Sequence, residues 1–392
     1  MRHMVTNVPP RCAPYWEKYE EAKTTKEKIA ALEELIACIP KHKGTEKLLK
    51  DLKVKLAKLR AQLAREAEAK KSKVSTLFSI PKKGDGQIVL LGTTQVGKTS
   101  ITNMLTGSKY VTGRPTQYPQ DGIFKWEGCE FQIVDTPPIL SGDIDRTPNG
   151  RAIMGIAYNA DLIGLVIDAT QDLDWQISIL VSAMQDANIT LRPKPPIRMK
   201  KLSRGGITVM GLEYSPFTID ELKEILASYR ITNCVIEFMD YVSEFDVYLA
   251  LNPRLTFKKG VVIVNKLDLV DDKIAVIETI RNKMTDINIS TLVVPFSINC
   301  NKCIHFLGKT IFHQLNLLRV WTKKGGKVNW DRALVLRRPA TVKDACEKIH
   351  SGFIKRFKYA VIERKGSDIK RKIVGLDYEL QDGDILTIYT RD

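Results

Sequence analysis

The chain has 392 residues, 44% of them hydrophobic, and 61 Lys and Arg against 45 Asp and Glu give a net charge of +16. That length suits two to four domains, and the apolar content lets each bury a core, which excludes a disordered charged chain. No run approaches the ~18 consecutive apolar residues of a membrane span, and Met1-Arg2-His3-Met4 lacks an apolar signal core, so a cytoplasmic protein without membrane contact is expected.

Residues 1–72 read as a helical hairpin, with helices over 16–37 and 45–70 separated by Pro40-Lys41-His42-Lys43-Gly44. In the second, Leu49, Leu52, Leu56, Leu59 and Leu63 recur at alternating steps of three and four, while Lys50, Lys53, Lys55, Lys58, Arg60 and Arg65 fill much of the rest. The stripe is expected to pack on Leu32, Ile36 or another domain. The basic face reads equally as a phosphate-contacting surface and as a solvated one. Lys70-Lys71-Ser72-Lys73 reads as a hinge into residues 73–170.

In that next segment the apolar run Gln87-Ile88-Val89-Leu90-Leu91 leads into Gly92-Thr93-Thr94-Gln95-Val96-Gly97-Lys98-Thr99, and Ser100-Ile101-Thr102-Asn103-Met104-Leu105 can start a helix. The middle string fits G-x-x-x-x-G-K-[ST] in the strand, loop and helix setting that a phosphate-binding loop requires. Glycines at 92 and 97 open dihedrals closed to other residues, so backbone amides can point at phosphate oxygens beside the positive end of the helix. Gly92, Thr93, Thr94, Gln95, Val96, Gly97, Lys98, Thr99 and Ser100 are the expected nucleotide contacts. Lys98 would bridge the β- and γ-phosphates as a catalytic charge, and the Thr99 hydroxyl would ligate Mg²⁺. A glycine-rich turn with a surface lysine is the competing reading.

Thr116, in Gly113-Arg114-Pro115-Thr116-Gln117-Tyr118-Pro119, is the candidate switch threonine that completes the Mg²⁺ shell and serves catalysis. Phe131-Gln132-Ile133-Val134 is a buried-type strand ending at Asp135, which would hold the metal through a water. Asp135-Thr136-Pro137-Pro138 occupies the place of the usual D-x-x-G, whose glycine donates its N–H to the γ-phosphate; Pro138 has none to donate. Ile139 follows, where Ras-like enzymes carry a water-orienting glutamine, so unaided turnover should be slow.

From Asp135 to Asn265 there are 130 residues, far more than one strand-helix-strand crossover needs. An extra module is therefore read over 171–245, with a Pro193 to Pro196 turn, a basic run through Arg198, Lys200, Lys201 and Arg204, and a helix near Asp220 to Tyr229. The core resumes over 246–328. There Val261-Val262-Ile263-Val264 opens onto Asn265-Lys266-Leu267-Asp268. The Asp268 carboxylate can accept from the ring N–H and exocyclic amine of guanine, and adenine offers neither donor there, so GTP and GDP are the expected ligands rather than ATP. Asn265 would hold the loops together and Lys266 would pack over the ring. A solvated turn is the bland alternative. Ser297 is expected near the guanine, with Cys300-Asn301-Lys302-Cys303 in the same loop; a zinc or redox role for that lone pair is disfavoured. Seven scattered cysteines argue against a disulfide framework.

Residues 329–392 change character again: Ala333-Leu334-Val335-Leu336 is strand-like, Thr341-Val342-Lys343-Asp344 is a capping box, and Tyr359-Ala360-Val361-Ile362 and Ile385-Leu386-Thr387-Ile388-Tyr389 follow. Lys355, Arg356, Lys358, Arg364, Lys365, Lys370, Arg371 and Lys372 make this segment basic. Phe353, Phe357 and Tyr359 read as core residues before base-stacking platforms. The overall positive charge fits an RNA-rich partner, or charge carried for solubility alone.

Gly122-Ile123-Phe124-Lys125-Trp126-Glu127-Gly128, Gly150-Arg151, Ala160-Asp161-Leu162-Ile163 and Val166-Ile167-Asp168-Ala169-Thr170, added to these motifs, resemble the Obg superfamily of GTPases. Arg192-Pro193-Lys194-Pro195-Pro196-Ile197, Gly205-Gly206-Ile207, Ala227-Ser228-Tyr229-Arg230-Ile231-Thr232-Asn233-Cys234 and Gln381-Asp382-Gly383-Asp384-Ile385 are similar to its developmentally regulated GTP-binding branch. The resemblance runs from about residue 16 to the end. It implies an insert similar to a ribosomal-protein fold and a C-terminal ubiquitin-like β-grasp module, the TGS domain. Ile139 fits the family pattern and Pro138 departs from it. Related potassium-stimulated GTPases use a side-chain amide at the place of Gln95, which adds K⁺ as an expectation.

The expected fold is α/β: a P-loop GTPase domain with an N-terminal helical hairpin, an α+β insert and a C-terminal β-grasp domain. The expected function is a slow GTP-hydrolysing switch on the ribosome or RNA in translation, helped by a protein partner. A GTP- or GDP-binding RNA or ribosome adaptor that hardly hydrolyses, because of Pro138, is the alternative. An ATPase would need Asp268 to be incidental.

Overall fold

The computed structural model describes residues 12–22, 24–41, 45–289, 291–298, 300–324, 326–350, 352–364 and 371–391. Two compact units divide at Ser79 and Ile80.

The first unit is helical. Where one helix is expected over 16–37 there are two, Ala13–Glu21 and Thr25–Cys38. The break is local: Thr24 accepts from the amide of Glu27, and the Glu27 carboxylate accepts from the amide of Thr24, a reciprocal cap that starts a new helix. The third helix runs Glu46–Leu77, so the expected hinge at 70–73 is continuous helix. The reason lies in composition, since 64–77 holds neither glycine nor proline and is rich in Ala, Glu and Lys. Leu32, Leu35, Leu49 and Leu52 form its core, with Leu56 and Leu59 alongside. Charged surface pairs, Arg60 to Glu33 and Lys18 to Glu34, bridge the helices. Expected linker residues 42–44 and basic residues 365 and 370 lie outside the described residues.

The cysteines argued against a disulfide framework, yet two disulfides are present. Cys12 and Cys38 are bonded, as are Cys300 and Cys303, while Cys129, Cys234 and Cys346 are free and buried. Sequence distance hid the first pair: the second helix folds back on the first, so the start of one meets the end of the other.

The second unit is built on a six-stranded sheet in the order Leu292–Pro295, Lys259–Asn265, Leu162–Asp168, Gly86–Leu91, Cys129–Asp135 and Gln120–Trp126. All neighbours are parallel except the last pair, which is a hairpin. Continuous apolar runs such as Ile88 to Leu91 and Val261 to Val264 are buried on both faces, as parallel strands with helices on either side require. Because these strands run the same way, their carboxyl ends collect the loops after Leu91, Asp135, Asp168 and Asn265 along one edge. This is where open α/β sheets bind ligands.

Between the core strands ending at Asp168 and beginning at Lys259 sits a three-stranded sheet, ordered Ile197–Lys201, Cys234–Phe238, Ile207–Met210, packed with helices Ile219–Ser228 and Glu244–Leu251. The helix Leu173–Asp186 instead packs on the core strand before it. At the C-terminal end, strands Leu334–Arg337, Phe357–Glu363, Lys372–Val374 and Asp384–Thr390 fold around the helix Val342–Ile349. Strand Leu317–Lys324, ahead of residue 329, is hydrogen-bonded into this sheet, parallel to Asp384–Thr390. No helix among the described residues is long and apolar enough to cross a membrane.

Candidate functional site

The loop after strand Gly86–Leu91 turns sharply because two residues adopt left-handed backbone: Gln95 at φ 60° and Gly97 at φ 94°. At Gly97 a side chain is excluded as well, since a Cβ there would lie 2.2 Å from the amide nitrogen of Asn265. Helix Lys98–Thr106 follows with Gly97 at its N-cap, leaving its first amides without a side-chain cap and aimed into the cleft.

Lys98 is buried, and its ammonium is held by the carbonyls of Gly92 at 3.0 Å and Thr93 at 2.9 Å. Burial lowers its pKa to about 8, with the nearby Asp135 charge partly opposing. Asp135, at the end of its strand, is fully buried; its Oδ2 accepts from the Thr99 hydroxyl at 2.6 Å. Burial raises its pKa, and the Thr99 bond and Lys98 charge pull the other way. Its second oxygen, Oδ1, has no partner in the structure. A buried carboxylate oxygen left open beside a threonine hydroxyl suits a hard cation that keeps most of its waters. Among the described residues no three His, Cys, Asp or Glu side chains gather as a metal cage, in keeping with so sparse a donor set.

Asn265 joins the two motifs. Its amide donates to the Val96 carbonyl at 2.9 Å, and Lys266 donates to the Gln95 carbonyl at 3.1 Å. Lys266, left-handed at φ 57°, also donates to Asp168 at 2.6 Å. Asp168 is fully buried and accepts further bonds from the Thr170 amide and hydroxyl and from Gln171. Sequence reasoning gave Asp168 no role. The signal was available, because a carboxylate ending a buried strand must find a cation or several donors.

A cleft of about 430 Å³ is lined by Gln95 to Ser100, Thr112 to Thr116, Pro138, Asn265, Lys266 and Ile298. Gly92, Thr93 and Asp135 are buried and Thr94 half-buried, and none of the four is in the lining. Thr116 reaches the Thr136 carbonyl at 3.5 Å. Asp268, in a short turn of helix Leu267–Leu269, is exposed and not among the lining residues, and Ser297 is buried. Beyond Pro138, Ile139 is fully buried and its amide donates to the Gly92 carbonyl at 3.1 Å. The amides of Leu140 and Ser141 both donate to the Thr147 hydroxyl. This stretch is tethered at several points.

Three family models match the chain: 50S ribosome-binding GTPase over residues 87–195, C-terminal region of MMR_HSR1 domain over 204–317, and TGS domain over 318–390. An uncharacterized GTP-binding protein of Methanocaldococcus jannaschii is 32% identical, the match covering 92% of each chain. Developmentally-regulated GTP-binding protein 2 homolog of Dictyostelium discoideum is 29% identical over 92% of this chain and 98% of its own. Ribosome-interacting GTPase 1 of Saccharomyces cerevisiae is 27% identical over 93% of this chain and 99% of its own. With its glycine loop, its Asn-Lys-Leu-Asp turn and its β-grasp end, the chain belongs to the Obg-type GTPases, in the developmentally regulated GTP-binding branch that carries a C-terminal TGS domain.

Proposed function

We propose that this GTP-binding protein takes GTP or GDP with Mg²⁺ in the cleft between the glycine loop and the Asn265 turn, hydrolyses GTP slowly, and acts as a ribosome- or RNA-associated switch in translation. The observation that carries the reading is the pair of bonds from Asn265 to Val96 and from Lys266 to Gln95, which makes one site of two distant motifs. In this reading the loop amides and Lys98 hold the phosphates, Asp268 reads guanine, Asn265 and Lys266 brace the base side, and Ser297 supports the base loop. Thr99, Thr116 and Asp135 would hold Mg²⁺, which when bound neutralises charge on the phosphates.

Slowness is supported by two residues. Pro138 cannot offer an amide, and Ile139 is an apolar side chain whose own amide is engaged by Gly92. Help from a protein partner, or from K⁺ held near Gln95, would then set the rate; equal phosphate release in sodium and potassium buffers would remove the ion from the account. The same two residues favour a second reading, a nucleotide-loaded adaptor with almost no turnover.

A ribosomal partner, and with it a cytoplasmic location, is supported by the name of the Saccharomyces relative and by the net charge of +16. Co-sedimentation with ribosomes across a salt series, in GTP and GDP forms, tests it. Binding that depends on the bound nucleotide is expected. Binding that ignores it would defeat the switch.

A further inference from the structure

The C-terminal sheet is covered by its helix on one face only. Along Phe357–Glu363 and Asp384–Thr390, Ala360, Ile362, Leu386 and Ile388 pack toward Val342, Ala345 and Cys346 of that helix. The alternate positions, Tyr359, Val361, Thr387 and Tyr389, belong to the opposite face. Trp321, also on that side, packs into the GTPase core, so the core covers one end of it. The other end carries Tyr359 and Tyr389, paired across the strands with rings 4.6 Å apart and 20° from parallel. Tyr389 is 37% exposed, and Ile373 beside Val361 is 70% exposed. Neither tyrosine hydroxyl has a partner among the described residues.

Cations frame this pair. The Arg391 amide donates to the Arg356 carbonyl at 2.6 Å, which fixes two arginines at the edge where the tyrosines end. Arg356, Lys358 and Arg391 are exposed, and none makes an ion pair among the described residues. Lys323, Arg364 and Arg319 of the same domain are, by contrast, matched with Glu363, Asp384 and Asp382. Flat rings beside exposed cations suit a ligand that alternates π-faces with negative charge. In a duplex the bases are already stacked on one another, so an unpaired strand is the better fit.

We propose that this end of the sheet is a stacking platform for unpaired bases of single-stranded RNA, with Arg356, Lys358 and Arg391 meeting the flanking phosphates. The platform names the chemistry of the RNA partner and is separate from the nucleotide cleft, so its failure would leave the GTPase reading standing.

The test uses the full chain loaded with GDP, and fluorescence anisotropy with a labelled oligouridylate, a labelled RNA duplex and labelled polyglutamate. Replacing Tyr359 and Tyr389 together by Ala is expected to weaken oligouridylate binding about tenfold or more, and to leave duplex binding and the salt slope unchanged. Phe at both positions keeps the rings and should hold affinity within about twofold. Leu at both positions keeps apolar bulk without a flat ring, and should behave as Ala does, which separates stacking from loss of folding. Arg356→Ala with Arg391→Ala should reduce the salt slope by about two phosphate contacts. Unchanged oligouridylate binding in the Ala and Leu pairs, equal losses for the duplex, or tighter binding of polyglutamate than of RNA would overturn the proposal.

Discussion

Lys98 is where pH should act on the nucleotide cleft. Burial holds its pKa at about 8. Below that pH the ammonium is charged and ready for phosphate; above it the free protein must regain a proton before the phosphate can be held. Nucleotide affinity is therefore expected to stay level below about pH 7 and to fall by up to about tenfold per unit above pH 8. A fluorescence titration with a labelled GDP analogue across that range checks it, and a flat profile to pH 9.5 would contradict the assignment of Lys98. Asp168 acts through Lys266: Asp168→Asn removes the charge that holds the ammonium at 2.6 Å. About tenfold weaker binding of GDP and GTP alike is expected, with unchanged Mg²⁺ dependence, since the pair lies on the base side. Pro138→Gly restores an amide donor, and single-turnover phosphate release should rise about tenfold or more. No change would move the cause of slowness to Ile139 and its tether. The phosphate loop was legible because phosphate chemistry demands a contiguous string. Asp168 carried a local signal as a carboxylate ending a buried strand, but its partner did not, because strand order is what brings Asp168 opposite Asn265.

Helix ends and close approaches decide the elements. The helix Asn301–Gln314 runs against Trp126 with Gly308 at the contact, where an added Cβ would meet the indole at 2.3 Å. Trp126 is itself packed on Phe312, so it has little room to yield. Gly308→Ala should cost about 1–3 kcal/mol, seen as a lower midpoint in denaturant unfolding. An unchanged midpoint would show that the helix can shift. The leucine stripe of the long basic helix was readable from its period, and the capping box at Thr341 from four adjacent residues. The break at Thr24 carried the same kind of local signal, Thr24 with Glu27 three residues on, inside a stretch whose periodicity alone reads as one helix. For Tyr359 the sequence offered core first and base stacking second, and its partner was not readable. Phe353 and Phe357 do join the core, but Tyr359 meets Tyr389 through a register that pairs residues 30 positions apart.

Across the second unit, Arg319 is the most heavily bonded of several cations that tie the C-terminal domain to the GTPase core, beside Arg332 with Glu130 and Arg337 with Asp161. The guanidinium of Arg319, on the shared strand, makes two bonds to Asp382 at 2.8 and 3.1 Å and a third contact to Glu127, in the turn after Gln120–Trp126, and lies over the rings of Trp126 and Phe312. Those acids raise its already high pKa, so no ordinary pH breaks the tie. Arg319→Ala should cost about 1–3 kcal/mol and let the C-terminal domain melt ahead of the core, resolved as a second transition in calorimetry. A single cooperative transition would place the coupling in the remaining ion pairs, Arg332 with Glu130 and Arg337 with Asp161, and in the apolar contacts around Trp321. The order of modules was legible because each carries its own local pattern. What joins them was not, because Arg319, Glu127 and Asp382 are far apart in sequence and meet only in the fold. Everything proposed for the cleft depends on its taking guanine, which one competition experiment tests most directly: affinities of GDP, GTP and ATP measured side by side for the wild type and for Asp268→Asn. The account predicts guanine nucleotides held at least about a hundredfold tighter than ATP, and that preference lost in the variant. Equal affinity for ATP and GTP, or a variant that keeps the wild-type preference, would contradict it.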